Sequence, residues 1–247
     1  MDKHYWNNTA ADYDAEILDS INTDRKRIIQ RRLRKFYNPE HRAADFGCGV
    51  GKYLPALSRG FKSVYAIDHA GALLDLARTE CDKRSNVKFI EADLARQSPK
   101  MRPVHFAVCT NVLIMPDEKQ RAFILMNVYQ HLVRGGHLLL LVASAESALF
   151  ANQRLLEWNR RCGVSRREAR KVMIKPSFDA LNGVIQREGV PHKHYLREEA
   201  IVMLDAVGLD TLGVDRVEYP WTTEFDDPPK WMKAPHPWDW LITCRKR

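Results

Sequence analysis

Apolar and polar positions change their period several times along this chain. Ile21, Ile28, Ile29, Leu33 and Phe36 recur at helical spacing, with arginines between them, which predicts one amphipathic helix over residues 20–37. Asn38-Pro39-Glu40 then ends it. A short buried strand follows at Arg42–Phe46, and Lys52–Ser58 opens the next helix. Val64–Asp68, Val87–Leu94 and Phe106–Thr110 are further short apolar runs, and each is followed by a polar or helical stretch. The segment Leu132–Val142 predicts the end of a helix, a Gly-Gly turn and a fifth strand. Strands alternating with helices predict βαβ units and a parallel sheet. From about residue 144 to 192 the pattern becomes long, basic and helical, with Phe150, Trp158, Met173 and Phe178 on apolar faces. Val214–Tyr219 and Trp238–Cys244 read as two last strands, the latter antiparallel, joined by a loop rich in Pro, Trp and acids over residues 218–237. No internal repeat interrupts this order.

The most informative stretch is Asp45-Phe46-Gly47-Cys48-Gly49-Val50-Gly51-Lys52. An acid ends a buried strand, and three glycines follow at every second position. Glycine permits positive φ and lets a ligand approach the backbone closely. The spacing is G-x-G-x-G, whereas a dinucleotide fingerprint is G-x-G-x-x-G. A Walker A loop is excluded as well, because Tyr53 stands where Ser or Thr is required. A carboxylate at Asp45 would repel a pyrophosphate and attract an ammonium or sulfonium group. The pattern therefore points to a cationic nucleoside and argues against a nicotinamide-dependent oxidoreductase.

This motif, with the segments after it, resembles the class I S-adenosylmethionine (SAM) dependent methyltransferases. The resemblance is close over about residues 40–145 and looser on the flanks. It implies a Rossmann-like α/β fold: a seven-stranded, mostly parallel sheet with helices on both faces and a helical cap insertion. It implies one domain over residues 1–247, with residues 1–37 covering the site and residues 144–192 forming the cap. By the same resemblance Asp45 holds the methionine end of SAM, while Gly47, Gly49 and Gly51 shape the pocket floor. Asp68 accepts the ribose hydroxyls, Asp93 and Leu94 take the adenine, and Asn111 passes the methionine part and the acceptor. Tyr5, Trp6 and Tyr13 are expected to lie across SAM, where aromatic faces attract a sulfonium. The run Tyr195-Leu196-Arg197-Glu198-Glu199 through Leu204, Gly208 and Leu209 is similar to the family's helix before its last two strands. One departure is at strand four, which opens on His105-Phe106 without the usual acid. Its loop, Thr110-Asn111, argues against the Asn-Pro-Pro-Tyr type of acceptor loop.

Charge and composition refine this picture. The chain has 247 residues and a net charge of +8, with basic clusters over residues 25–35 and 160–175 and at the tail Arg245-Lys246-Arg247. These clusters lack the interleaved aromatics of a nucleic-acid platform, so nucleic acid is disfavoured as a partner. The five cysteines form no C-x-x-C pair and no zinc pattern, and a reduced, cytoplasmic compartment is expected. No apolar run approaches the roughly 18 residues of a membrane span, and residues 1–6 lack the apolar core of a signal peptide.

Methyl transfer is an in-line displacement in which alignment dominates. A general base is needed only when the acceptor must lose its proton early. His192, His194 and Tyr195 are the candidates for that role. The His-x-His pair would also suit a metal, but no third ligand is identifiable. The expected activity is methylation of N or O on a small metabolite, amino-acid-like or carboxylate-bearing. The alternatives are an RNA or protein methyltransferase and a catalytically silent SAM-fold partner protein.

Overall fold

The computed structural model describes residues 6–7, 19–81, 85–169, 180–187 and 189–247. Tyr5, Tyr13, Met173 and Phe178 lie outside the described residues. The chain builds a seven-stranded sheet from β1 (Asn38–Phe46), β2 (Phe61–Asp68), β3 (Val87–Glu91), β4 (Val104–Thr110), β5 (Leu132–Ala143), β8 (Leu209–Glu218) and β9 (Trp238–Lys246). Their spatial order is β3-β2-β1-β4-β5-β9-β8. The first five strands pair in parallel, and β9 runs antiparallel to both β5 and β8. The chain order reverses between β1 and β4, the point at which open α/β sheets bind ligands beyond the carboxyl ends of their strands.

The near-continuous apolar runs of β4 and β5 follow from burial on both faces. One face of the sheet is covered by α1 (Ile28–Arg34), α2 (Leu54–Gly60) and α3 (Gly71–Glu80), through Ile29, Leu33, Leu57, Leu74 and Ala77. The other is covered by α4 (Glu118–His131) and α6 (Arg197–Ala206), through Ile124, Leu125, Val128, Ala200 and Leu204. α5 (Ala145–Arg161) leaves the carboxyl end of β5, capped by Ser144, whose hydroxyl accepts from the Ser147 N–H.

Three elements differ from the sequence expectation. The single helix over 20–37 is two pieces, Ser20–Thr23 and α1. Asp24 is the break: its buried carboxylate accepts from the backbone N–H groups of Lys26 and Ile29 and competes with helix continuation. Asn38-Pro39-Glu40 belongs to β1 and does not form a separate turn. The Gly-Gly turn is a loop-out within β5: Leu132 pairs with Val104, and the next partners are His137 and Phe106. Beyond α5, the described residues form a short helix at Arg166–Ala169 and then a hairpin of β6 (Val184–Arg187) and β7 (Val190–Lys193). No described helix is long and apolar enough to cross a membrane.

Candidate functional site

The glycine-rich turn is fastened to the neighbouring strand, since the N–H groups of Gly47 and Cys48 both donate to the Ile67 carbonyl, at 2.8 and 2.9 Å. All three glycines have positive φ, at 77°, 52° and 84°. At Gly47 a Cβ would stand 2.2 Å from Val112 Cγ2, and at Gly51 it would meet Leu54 Cδ1 at 2.9 Å. The first close approach sets the turn against the loop after β4. The second lets α2 begin directly under the turn.

Asp45 is the penultimate residue of β1, fully buried between Ala66 of β2 and Val108 of β4. Neither of its carboxylate oxygens has a hydrogen-bond partner among the described residues. Burial, and then the charge of Asp68, push its pKa up to about 8. A buried carboxylate without a donor is costly to keep ionised, and a cation placed against it removes that cost. The Asn111 side-chain oxygen at the end of β4 is also buried without a partner, and its residue takes a left-handed φ of 55°. These unpartnered acceptors beside a glycine turn fit the ammonium-bearing end of a nucleoside such as SAM.

Asp68 ends β2, and its carboxylate is already engaged from one side. Its two oxygens accept from Gly49 N–H at 2.9 Å and Ala70 N–H at 3.0 Å, tying the glycine turn to the start of α3. His69 also lies against this carboxylate, with Nδ1 3.7 Å from Oδ1, and a carboxylate's four lone-pair sites leave room for an external donor. Burial raises its pKa, against the lowering effect of those N–H groups. Asp93 stands past the end of β3, where it caps a turn through the Ala95 N–H and lies 3.4 Å from Arg96 with its side chain 39% exposed. Leu94 beside it is buried, and Asn127 of α4 holds its carbonyl at 2.8 Å. Trp6 packs on Val50, Ala70 and Leu73, against the glycine turn and the start of α3. Asn7 accepts from the Ala72 N–H. Asp45, the three glycines, Asp68, Trp6 and Asn111 thus share one edge of the sheet.

The three base candidates are placed differently. Tyr195 is buried, and its hydroxyl donates to the Leu113 carbonyl at 2.8 Å. Burial raises its pKa, which opposes a role as base near neutral pH. His194 is buried, with Nδ1 3.1 Å from the His192 carbonyl, and His192 faces Ile185 across the hairpin. The Lys193 N–H donates to the Ile114 carbonyl at 2.8 Å. The 192–195 segment therefore buttresses the loop after β4. Among the described residues no group of three or more His, Cys, Asp or Glu side chains could hold a metal.

The sequence reading missed Tyr53. It is buried just after the glycine turn, hydrogen-bonded to Ser20 and Thr110, and its pKa is raised by burial and by the Asp45 charge. Its only sequence signal is an aromatic residue following Gly51-Lys52.

Comparison with known proteins bears on the fold. A family model described as a methyltransferase domain matches residues 43–136. No curated protein sequence matches the chain. Among solved structures, the N-methyltransferase NodS from Bradyrhizobium japonicum WM9 with S-adenosylhomocysteine superposes with a TM-score of 0.64 at 17% identity, covering 99% of this chain and 97% of that one. A DhpI–SAH complex gives 0.63 at 18%, covering 99% and 94%. Magnesium protoporphyrin IX methyltransferase from Synechocystis PCC 6803 with bound SAH gives 0.62 at 14%, covering 99% and 98%. Residues 43–136 thus match a methyltransferase domain, and the chain as a whole shares the fold of these S-adenosylhomocysteine-bound structures.

Proposed function

We propose that the chain transfers a methyl group from SAM to N or O of a small-molecule acceptor. The observation that carries this reading is Asp45, a fully buried carboxylate with no donor among the described residues, standing against the glycine turn. SAM, when bound, supplies an electrophilic methyl group on a sulfonium. The chain's part is to hold and align. Asp45 takes the ammonium of the methionine end, and Asp68 takes the ribose hydroxyls on its free lone pairs. The Asp93–Leu94 turn borders the adenine, and Trp6 covers the glycine turn. Trp6, α5 and the β6–β7 hairpin border the acceptor side.

An RNA acceptor has less support. The basic stretch at residues 25–35 is partly engaged within the fold: Arg32 forms a two-pronged bond with Asp215, and Lys26 pairs with Glu218.

The test is a calorimetric titration with S-adenosylhomocysteine and with 5′-methylthioadenosine, which lacks the amino-acid end. One site per chain is expected for the first. Asp45→Asn should weaken the first ligand and spare the second. Absence of binding by either ligand would overturn the reading.

A further inference from the structure

A cavity of about 360 Å³ opens between α5 and the loop joining β8 to β9. This size lies in the range of small-molecule sites. β8 runs parallel to β5, so this loop and the start of α5 both leave the carboxyl edge of the sheet. Along that edge the strands stand in the order β3-β2-β1-β4-β5-β9-β8, about 4.8 Å apart. Asp93, Asp68, the glycine turn and Asn111 follow one another from β3 to β4, and α5 and the loop come next. In the placement of SAM proposed above, adenine, ribose and methionine run along the edge in the same sense. The cavity therefore lies on the methionine side of SAM, away from the adenine.

Ala151, Leu155 and Trp158 supply the helix wall, at positions i, i+4 and i+7 and so on one face of α5. Phe225 supplies the loop wall. It stacks on buried Trp221 with centroids 5.6 Å apart and ring planes 10° from parallel. Trp158 meets Phe225 at 6.1 Å with ring planes 74° apart, so the two rings form a corner. Packing holds that corner in place: Ala151, Trp221 and Met232 are buried together, with Phe150, Trp158 and Phe225 against them. The N–H groups of Glu224 and Phe225 both donate to the Trp221 carbonyl, which sets the loop backbone. Of the polar residues at the cavity, Asn152 and Glu224 are already engaged, and Asp226 is exposed. Ring geometry and apolar surface, not charge, distinguish this cavity.

We propose that this cavity holds a flat aromatic ring of the acceptor against Trp158 and Phe225, so that the acceptors are aromatic small molecules. The proposal rests on the small-molecule methyltransferase reading above and narrows it. Aromatic rings favour offset-stacked and edge-to-face neighbours. Because the two wall rings are 74° apart, a third ring lying parallel to one is nearly perpendicular to the other, and it meets both in a favoured arrangement. A puckered, saturated ring of the same skeleton gains only from the apolar area that it buries. The methyl-accepting atom then lies on the part of the acceptor towards Asn111, at the end of β4.

The experiment uses the full chain saturated with S-adenosylhomocysteine and titrates in 2-naphthol, which is flat, or decahydro-2-naphthol, which has the same carbon skeleton and hydroxyl but is puckered. 2-Naphthol should bind at one site, about threefold to tenfold tighter than the saturated probe, the range of an aromatic pair's contribution beyond apolar area. Trp158→Leu and Phe225→Leu should each bring the two affinities together while S-adenosylhomocysteine binding stays as in wild type. Leu155→Trp, which fills the cavity from its helix wall, should weaken both probes. Equal binding of the two probes, tighter binding of the saturated one, unchanged binding in all three variants, or no binding of 2-naphthol to a chain that does bind S-adenosylhomocysteine would each overturn the proposal. A chain that binds no S-adenosylhomocysteine would instead overturn the methyltransferase reading on which it stands.

Discussion

Ser20 Oγ and the Tyr53 hydroxyl lie 2.8 Å apart in the interior, joining the N-terminal segment to the residue that follows the glycine turn. Thr110 at the end of β4 bonds the same hydroxyl. Truncating either partner leaves a buried hydroxyl short of a bond, at a cost of about 1–3 kcal/mol. Ser20→Ala and Tyr53→Phe should each lower Tm, by about 2–4 °C per kcal/mol for a chain of this size. The double variant should cost less than the sum of the two. A double-mutant cycle by chemical denaturation reads this directly, and full additivity would mean the two groups do not support each other.

The raised pKa of Asp45 has two consequences of definite sign. Its value in the folded chain, about 8, lies well above the ordinary value of 3.8. The folded state therefore holds a proton that the unfolded state has released over that interval, and stability falls as pH rises from about 4 to about 8. Asp68 is shifted in the same direction. Asp45→Asn removes its share, so its Tm advantage over wild type should widen from pH 5 to pH 8. A bound ammonium favours the ionised form. S-adenosylhomocysteine affinity should therefore rise with pH up to about 8, with proton release on binding near neutrality. Calorimetry in buffers of different ionisation enthalpy measures that release, and Asp45→Asn should abolish it.

Much of this site was legible as strand ends. Asp45, Asp68 and the glycines could be placed because a parallel sheet puts the carboxyl ends of its strands on one edge, and apolar runs show where strands end. Trp6 could be anticipated as packed against the fold, since a large aromatic seldom stays fully in water. The break at Asp24 was hidden because an acid reads equally well as a helix-surface residue and as a cap. The β6–β7 hairpin was hidden by its charged composition and short strands. Tyr195 illustrates a different limit. A tyrosine near two histidines suggests proton chemistry, yet its hydroxyl is consumed by the Leu113 carbonyl, more than eighty residues away in sequence. The unpartnered state of Asp45 is a tertiary fact, set by Ala66 and Val108 on either side.

Gly47 gives a prediction from shape. Alanine there would bring its Cβ to 2.2 Å from Val112 Cγ2, at a φ of 77°. The left-handed conformation alone costs a non-glycine residue about 1–2 kcal/mol. Gly47→Ala should therefore be destabilised by more than that and should bind S-adenosylhomocysteine weakly. Adding Val112→Ala should recover the part due to the clash and leave the part due to φ. Denaturant midpoints of the three proteins separate the two contributions.

Asp68 acts on both the ligand and the turn. Asp68→Ala removes the acceptor for Gly49 and Ala70 as well as for the ribose, and S-adenosylhomocysteine binding should weaken by about 1–3 kcal/mol. 5′-Methylthioadenosine, which keeps the ribose, should weaken in parallel, unlike its response to Asp45→Asn. Unchanged affinity for both ligands would remove Asp68 from the ribose site.

Tyr195 separates support from chemistry. Its hydroxyl pins the Leu113 carbonyl, its N–H donates to Ala143 and its carbonyl accepts from Ala145, so it clamps the loop after β4 to the end of β5. Tyr195→Phe loses the bond to the Leu113 carbonyl and the hydroxyl's contact with Arg121, and stability should fall by about 1–3 kcal/mol. The ring would still fill its place, and its contact with the Lys193 ammonium, 4.6 Å from the ring centroid, would persist. S-adenosylhomocysteine affinity should then stay as in wild type, because the hydroxyl faces the backbone of the loop and not the glycine turn. A loss of affinity larger than the loss of stability would instead place the hydroxyl at the ligand.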